Sequence, residues 1–449
     1  ASSHSASLAN LDVAVDALFE QCGIVRAGTL EELFDVAALL STQPLPPGRR
    51  IAVVTNAGGP GILLGDACEA HGLELPELGA ATRAELRGFL SPAAAVANPV
   101  DMTAAATSED YARTIAAVGA DPNTDGVVVI YIPVVGSPLD VAAGIGRGAA
   151  GVPAAKPVLA VLMASDHPEG GITAGARGAL PVYRFPENAA LALAAATRYA
   201  AWRRRPTGTP FVLDTPARDA VRAVVERVLA ESGGPRWLSP ADLRTVLGAA
   251  GIALVEETRV APDDAVAAAA RLGYPLVAKA IAPGVLHKTD VGAVRLGLRA
   301  AEDVVAAVDA IRTAVRALDA PLEGILLQRE VAGGVEALVG VTTDPTFGPV
   351  VVCGLGGVLV EVLRDVSFRL PPVTDRDAAG MLDALKGARL LDGYRGGPRA
   401  DRAALVDVIL RVSALTEIVP ELRELDLNPV KVLAPGQGAV VVDARMRVG

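Results

Sequence analysis

Apolar positions recur with a helical period from Leu11 to Gln21 and again after Thr29, where Glu32 three residues on completes a capping-box pattern. Pro44, Pro46, Pro47 and Gly48 then break the chain. A short apolar run, Ile51–Thr55, predicts a strand, followed by the glycine-rich turn Asn56-Ala57-Gly58-Gly59-Pro60-Gly61 and a helix to about Ala70. Further apolar strands are predicted over 126–134 and 157–163, with helical patterns between them. Strands alternating with helices predict a doubly wound parallel sheet. A helix over 187–205 closes this unit, and 206–216 reads as a linker.

Beyond the linker the grammar changes. Helices are predicted over 217–231 and after Ser239-Pro240, a strand near 252–255, a helix over 263–272 and a strand over 276–280. Two β-rich runs, 335–343 and 349–353, flank Asp344-Pro345-Thr346-Phe347-Gly348, whose Asp, Pro and Gly supply the turn chemistry of a hairpin. A helix over 401–418, a strand over 424–432 and a last strand over 439–444 complete an α+β half with antiparallel pairs. No short-period repeat is evident.

Composition narrows the class. The 449 residues are 51% hydrophobic and 20% charged, which excludes a disordered chain and allows two to four domains. Mean hydropathy is +0.39, an excess that comes from Ala and Val. Gly, Pro or charge interrupts every apolar run before the ~18 residues of a spanning helix, so no membrane segment is expected. No basic stretch followed by an apolar core opens the chain, so the reading is a soluble, cytoplasmic protein. A net charge of −10 has the wrong sign for nucleic acid, and the one dense basic run, Arg203-Arg204-Arg205, reads as a solvated helix end. Cys22, Cys68 and Cys353 lack CxxC spacing and read as reduced and structural. Four histidines without HxxxH spacing or a Cys/His cluster give no zinc pattern.

Only five of the 41 basic residues are lysine, so Lys279, at the end of the apolar run Pro275-Leu276-Val277-Ala278, stands out. It is either a lysine snorkelling to water or a fixed ammonium for a nucleotide's phosphates. If the strands bearing them pair, Asn428 and Asp443 can present oxygen atoms to one point, as Mg²⁺ requires; otherwise they are a turn and a strand-end acid. Gly354-Leu355-Gly356-Gly357 after an apolar strand, and Asn56, Gly58, Gly59 and Gly61 before a helix, can bring backbone amides to a phosphate, although such turns also serve plain strand-to-helix geometry. His71 reads as a helix C-cap and His167 as an exposed loop residue. His4 lies among small residues and His287 heads His287-Lys288-Thr289-Asp290, and a neutral imidazole can carry a phosphoryl group on nitrogen.

Together these stretches resemble the nucleoside-diphosphate-forming acyl-CoA synthetases, relatives of succinyl-CoA synthetase, over nearly the whole chain. The matches are Ser3-His4 with Leu8-Ala9, Thr55–Gly61, Asn98-Pro99-Val100-Asp101, Gly273-Tyr274-Pro275, His287–Gly292, Asp344-Pro345, Phe347-Gly348-Pro349, Gly354–Gly357 and Leu425-Asp426-Leu427-Asn428-Pro429. The resemblance implies an α/β chain: 1–43 the tail of a succinyl-CoA-ligase-like domain with the phosphohistidine loop, 44–205 a flavodoxin-like doubly wound parallel-sheet CoA-ligase domain, 206–216 a linker, and 217–449 an ATP-grasp (α+β) module. It implies interconversion of acyl-CoA, ADP and phosphate with acid, CoA and ATP, with Mg²⁺, and with His4 and His287 as phosphoryl carriers. Lys279 resembles the phosphate-binding lysine, Glu330 and Glu336 lie where base and ribose would sit, and Asn428 and Asp443 match the Mg²⁺ ligands. The family's CoA-binding domain is expected in cis or on a partner chain, within an oligomer.

Two departures bear on this. Ser5-Ala6-Ser7 stands where the family has Thr-Gly-Ala, and Ala293 replaces a glycine after Val291-Gly292. They leave open a second reading, a sensory module of a protein acetyltransferase that no longer turns over. A third, an ATP-grasp ligase with another acceptor, is disfavoured by the first 205 residues.

Overall fold

The computed structural model describes residues 11–134, 137–163, 171–283, 291–356 and 365–449. The contacts divide the chain into two units, Cys22–Pro206 and a second comprising residues up to Gln21 together with Thr207–Gly449.

Helix α1 (Leu11–Cys22) ends where the first unit begins. That unit continues with α2 (Leu30–Thr42), β1 (Ile51–Thr55), α3 (Gly58–Ala70), α4 (Ala80–Arg87), β2 (Val100–Asp101), α5 (Ser108–Ala120), β3 (Gly126–Tyr131), α6 (Pro138–Ala150) and β4 (Val158–Leu162). A two-stranded ribbon of β5 (Ile172–Thr173) and β6 (Ala179–Leu180), then β7 (Val182–Tyr183) and α7 (Pro186–Arg204), complete it. The sheet order is β2-β1-β3-β4-β7, with every pair parallel. All of β1, β3 and β4 is buried, because helices cover both faces and no position alternates outward. Ala52, Val54, Val127 and Val129 join one core with Ile115 and Ile145, whereas Ile51, Val53, Val128 and Ile130 join another with Val36, Leu64 and the alanines of α7.

The strand expected over 126–134 ends at Tyr131, because the next residue is held by the side chain of Asn56. At α2 the Thr29 hydroxyl accepts from the Glu32 amide at 3.1 Å, but the Glu32 carboxylate reaches past Thr29 to the Gly28 amide, so the box is half-formed. Arg50 clamps the start of β3. Its guanidinium donates to both Asp125 carboxylate oxygens at 2.9 Å, and its backbone amide adds a third bond at 3.0 Å. Burial alone would raise the Asp125 carboxyl, yet these bonds hold it below the usual carboxylate range. A folded-state pKa below the unfolded value contributes stability that is present above the unfolded pKa and lost as pH falls through the folded one. The acid limb of unfolding is therefore expected to flatten in Asp125→Asn, with lower stability at pH 7, as measured by denaturant titration at stepped pH. An unchanged limb counts against the clamp.

The second unit holds α8 (Thr215–Ser232), β8 (Arg236–Trp237), α9 (Pro240–Ala249), β9 (Glu257–Val260), α10 (Ala265–Leu272), β10 (Leu276–Ile281), β11 (Val294–Leu298), α11 (Ala301–Ala317) and β12 (Gly324–Arg329). Then come β13 (Val335–Asp344), β14 (Gly348–Leu355), β15 (Val366–Arg369), α12 (Asp375–Asp383), α13 (Arg402–Ile418), β16 (Leu422–Val432), β17 (Ala439–Val441) and β18 (Ala444–Val448). The smaller sheet runs β11-β10-β12-β9 and is fully antiparallel. Ala278, Ala280, Ile325 and Leu327 bury one of its faces against α10 and α11. The larger sheet runs β15-β14-β13-β16-β18-β8, with β17 also on β16. Val339, Val341, Val351 and Cys353 pack with α9, α12 and α13 on one side, and Leu338, Val350 and Val352 pack with Ala14 and Ala17 of α1 on the other.

Two strand expectations are corrected. The apolar run 252–255 forms no strand: Ile252 enters the core, Leu254 makes a single bridge to Val441, and the strand begins at Glu257. The expected last strand over 439–444 is two strands, β17 and β18, both paired with β16 and parted by Val442 and Asp443. No described helix is long and apolar enough to cross a membrane.

Candidate functional site

Antiparallel partners point to the same side of a sheet, so register fixes which side chains share a face. Across the smaller sheet Arg259 pairs with Leu326, Leu326 with Lys279, and Lys279 with Val294. One row further, Glu257 pairs with Gln328 and Gln328 with Val277. This is the face opposite the α10 and α11 core. Glu257, Arg259, Ile281, Leu326 and Gln328 form one wall of a cavity of ≈ 740 Å³, and Trp237, Leu243, Val442, Asp443 and Arg445 belong to the lining opposite. Lys279, half-buried beside Leu326, shares that face; its side chain makes no hydrogen bond or ion pair among the described residues.

The walls meet at Gln328, whose amide nitrogen donates to the Glu257 carboxylate at 2.5 Å and to the Val442 carbonyl at 3.1 Å. Glu257 also pairs with Arg244 at 3.0 Å. Arg259 is tied to Glu323 at 3.2 Å, and Arg445 is exposed with no partner among the described residues. Alternation along Glu257-Thr258-Arg259 is the signal that places Arg259 on this face, masked in the sequence by the more apolar run 252–255 just before it. Gln328 carried no signal.

The break between β17 and β18 leaves Asp443 exposed at the cavity, and its carbonyl accepts the Asn428 amide at 3.0 Å. An amide oxygen and a carboxylate on adjacent strands are hard donors of the kind Mg²⁺ takes, few from protein and the rest from phosphate and water, so the pair fits that ion. No cluster of three His, Cys, Asp or Glu occurs among the described residues.

The other expected nucleotide residues lie near the ends of interior strands. Glu330 follows β12; its amide donates to the Pro275 carbonyl at 3.0 Å, and its carboxylate accepts from the Gly297 amide at 3.1 Å. Glu336 pairs with Lys431 at 2.9 Å, and its carbonyl takes the Gly356 amide at 2.6 Å. Gly354 lies inside β14, in register with Leu338 and Val366, where a Cβ would come within 2.8 Å of the Asp365 carbonyl. So the strand extends two residues further than its sequence suggests, and Gly356 spends its amide on the neighbouring strand. Gly357, His4 and His287 lie outside the described residues.

In the first unit the Asn56 side chain is 3% exposed and consumed by β3: its amide nitrogen donates to the Ile132 carbonyl at 2.8 Å, and its oxygen accepts the Ile132 amide at 3.0 Å. Asn56→Ala leaves both backbone groups unpaired and is expected to cost about 2–3 kcal/mol, read from the denaturant midpoint. Gly61 is a close-approach glycine, its Cβ position 3.2 Å from Thr55, and its amide closes the first helical bond to Ala57 at 3.4 Å. Pro60 has no N–H. The amides of Gly58 and Gly59 therefore remain at the mouth of α3, with no acceptor among the described residues. The Asp101 carboxylate borders Gly58, 3.1 Å from its Cβ position, and its other oxygen holds the left-handed Thr103 (φ 70) through the Thr103 amide at 2.9 Å.

Fold and sites define the class: an ATP-grasp module joined to a CoA-ligase domain. Residues 229–448 match the ATP-grasp domain family, 51–202 the Ligase-CoA domain and 1–40 the succinyl-CoA ligase like flavodoxin domain. The chain belongs to the ADP-forming acyl-CoA ligase family. Over its whole length it is 36% identical to acetate–CoA ligase [ADP-forming] I of Archaeoglobus fulgidus, of which it covers 64%. It is 33% identical to 4-hydroxybutyrate–CoA ligase [ADP-forming] of Nitrosopumilus maritimus, covering 99% of this chain and 64% of that one. Half of it, 50%, matches 95% of the acetate–CoA ligase [ADP-forming] II subunit beta of Pyrococcus furiosus at 38% identity. Among solved structures, a dinucleotide forming acetyl-coenzyme A synthetase 1 of Ca. Korarchaeum cryptofilum is 36% identical over 51% of this chain and 99% of that chain, with a TM-score of 0.47. The chain thus spans less than two thirds of the first two relatives' length.

Proposed function

We propose that this chain supplies the nucleotide and phosphoryl-transfer machinery of an acyl-CoA ligase, interconverting acyl-CoA, ADP and phosphate with acid, CoA and ATP. The observation that carries the reading is the cavity between the two sheets of the second unit, lined by Asp443 on one side and by Leu326 on the other, with Lys279 on the same sheet face as Leu326. A nucleotide polyphosphate would lie between them. Asn428 and Asp443 would hold Mg²⁺, which supplies charge neutralisation at the phosphates. Lys279 offers a point charge on a rigid strand, and the apolar lining from Leu243, Ile281 and Leu326 suits the base. Glu330 and Glu336 would serve the base and ribose; Glu336 would have to share its carboxylate with Lys431.

In the first unit the free amides of Gly58 and Gly59, at a helix N-terminus, would receive a phosphoryl group, with His4 and His287 as its carriers. CoA is the acyl acceptor in this scheme, and the remainder of the family's architecture, in cis or on a partner chain, would complete its site. Relatives divided into alpha and beta subunits are consistent with that division. The metal assignment is tested by calorimetry of ADP with and without Mg²⁺. Asp443→Asn is expected to lose most of the Mg²⁺-dependent gain in affinity while its affinity in EDTA stays at the wild-type level. An undiminished Mg²⁺ effect would remove Asp443 from the site.

A further inference from the structure

The cavity draws none of its lining from residues 386–399, yet these carry the densest unneutralised positive charge in the described second unit. Within 386–399, Lys386, Arg389, Arg395 and Arg399 share the segment with a single acid, Asp392, in a chain of net charge −10. Asp392 is engaged by Arg402 at 3.5 Å. None of the four cations has a carboxylate partner or a side-chain hydrogen bond among the described residues, although acids outnumber bases 51 to 41 in the chain.

The segment is a closed loop on a fixed base. Leu391 and Ala400 are buried, and the Ala400 amide donates to the Leu391 carbonyl at 2.9 Å. The Gly397 amide donates to Tyr394 at 3.1 Å, tightening the tip. Gly393 has φ 89 and a Cβ position 2.8 Å from the Gly397 carbonyl, so only glycine fits there. Arg395 is left-handed without being glycine (φ 51, ψ 37), backbone strain of the sort concentrated at binding sites. At the root, the Asp365 carboxylate accepts the amides of Lys386 and Gly387, each at 2.8 Å, and Gly387 packs on Leu355 at the end of β14.

Positive charge alone would suit any anion, and this chain writes nearly all its cations as arginine, so the guanidinium is not diagnostic. The aromatic ring is. Tyr111, Tyr131 and Tyr183 are buried, whereas Tyr394 is 49% exposed in the middle of the loop, with the Arg395 guanidinium 5.4 Å from its ring centre. An open ring beside the Arg395 guanidinium, in a closed loop that also carries Arg399, offers stacking for a base and bidentate donors for phosphates on one short segment.

We propose that the loop from Leu391 to Ala400, with Lys386 and Arg389, is a second binding site for a polyphosphorylated nucleotide, separate from the cavity. Two sources share that chemistry: free ADP, and the 3′-phospho-ADP end of CoA. The test is calorimetry on the full 449-residue chain with ADP, CoA and dephospho-CoA as titrants, in wild type, in Lys279→Ala to disable the cavity, and in Arg395→Gln/Arg399→Gln. Binding of at least one titrant should persist in Lys279→Ala, weaken with added NaCl, and fall about tenfold or more when Arg395→Gln and Arg399→Gln are added. CoA binding more tightly than dephospho-CoA would identify the 3′-phosphate, and so CoA, as the source; equal binding of ADP would identify the free nucleotide. Wild-type far-UV circular dichroism and melting of the exposed-loop variants exclude misfolding. No residual binding in Lys279→Ala, or residual binding indifferent to the two arginines, overturns the site without touching the cavity assignment.

Discussion

Lys279→Ala is expected to weaken Mg·ADP binding by roughly ten- to a hundredfold, the worth of one charge-assisted contact to phosphate. The reason lies in the rigidity of its strand. β10 is hydrogen-bonded on both sides, so the lysine Cα is fixed between Leu326 and Val294 and little backbone ordering remains to oppose binding. Its neighbours Ala278 and Ala280 point into the α10 and α11 core, which prevents rotation of the strand. Because Lys279 has no partner among the described residues, the substitution orphans no carboxylate, and thermal stability should stay within about 0.5 kcal/mol of wild type. Lys279→Arg separates charge from shape: if a point charge suffices it recovers most of the affinity, whereas a requirement for the compact ammonium leaves it weak. Calorimetric affinity unchanged in Lys279→Ala would remove the nucleotide from this face.

What made the first unit legible was burial on both sides. Ile51–Thr55 reads as a strand because all five of its residues are covered, and no charge interrupts the pattern. The cavity was harder. Glu257–Val260 is an edge strand of mixed polarity, and the more apolar run just before it attracted the assignment that belonged to it. Only tertiary context shows that Ile252 is core and that Leu254 touches β17 by a single bridge. The glycines were ambiguous for a related reason. Gly354 and Gly61 are small because a strand and a threonine crowd their Cβ positions, whereas Gly59 has nothing within 4 Å, and sequence spacing cannot distinguish these cases. The cations of the 386–399 loop form no charge run in the sequence, because each is separated from the next by several residues. Asn428 and Asp443 were legible as a pair, since two strands joined by a short turn must lie side by side.

Incubation with γ-labelled ATP is expected to leave acid-labile, base-stable phosphate on the protein, nearly all of it lost in His287→Ala. The physical argument starts from the two sites. In the proposed scheme the phosphoryl group passes between the amides of Gly58 and Gly59, which belong to one unit, and a nucleotide beside Lys279, which belongs to the other. Free in water it would lose its transfer potential. Carried as an N–P bond it keeps that potential, and imidazole is neutral and nucleophilic near pH 7. Under the proposed relay, in the direction of ATP synthesis, phosphate would displace CoA from acyl-CoA to give acyl phosphate. A His4 nitrogen would then attack phosphorus and release the acid. His287 would accept the group from His4, and ADP would take it from His287. Run backwards from labelled ATP, the label would meet His287 first and His4 second. His4→Ala should therefore remove only a share of the label, while His287→Ala removes both. On the proposed relay, the Asp101 carboxylate beside Gly58 would compete with an incoming phosphoryl group for the same helix end, so Asp101→Asn should enlarge the share on His4. Equal labelling of wild type and both histidine variants would end the relay. So would the absence of label in a protein that still binds nucleotide, and the chain would then be a sensor of nucleotide and acyl-CoA that no longer turns over.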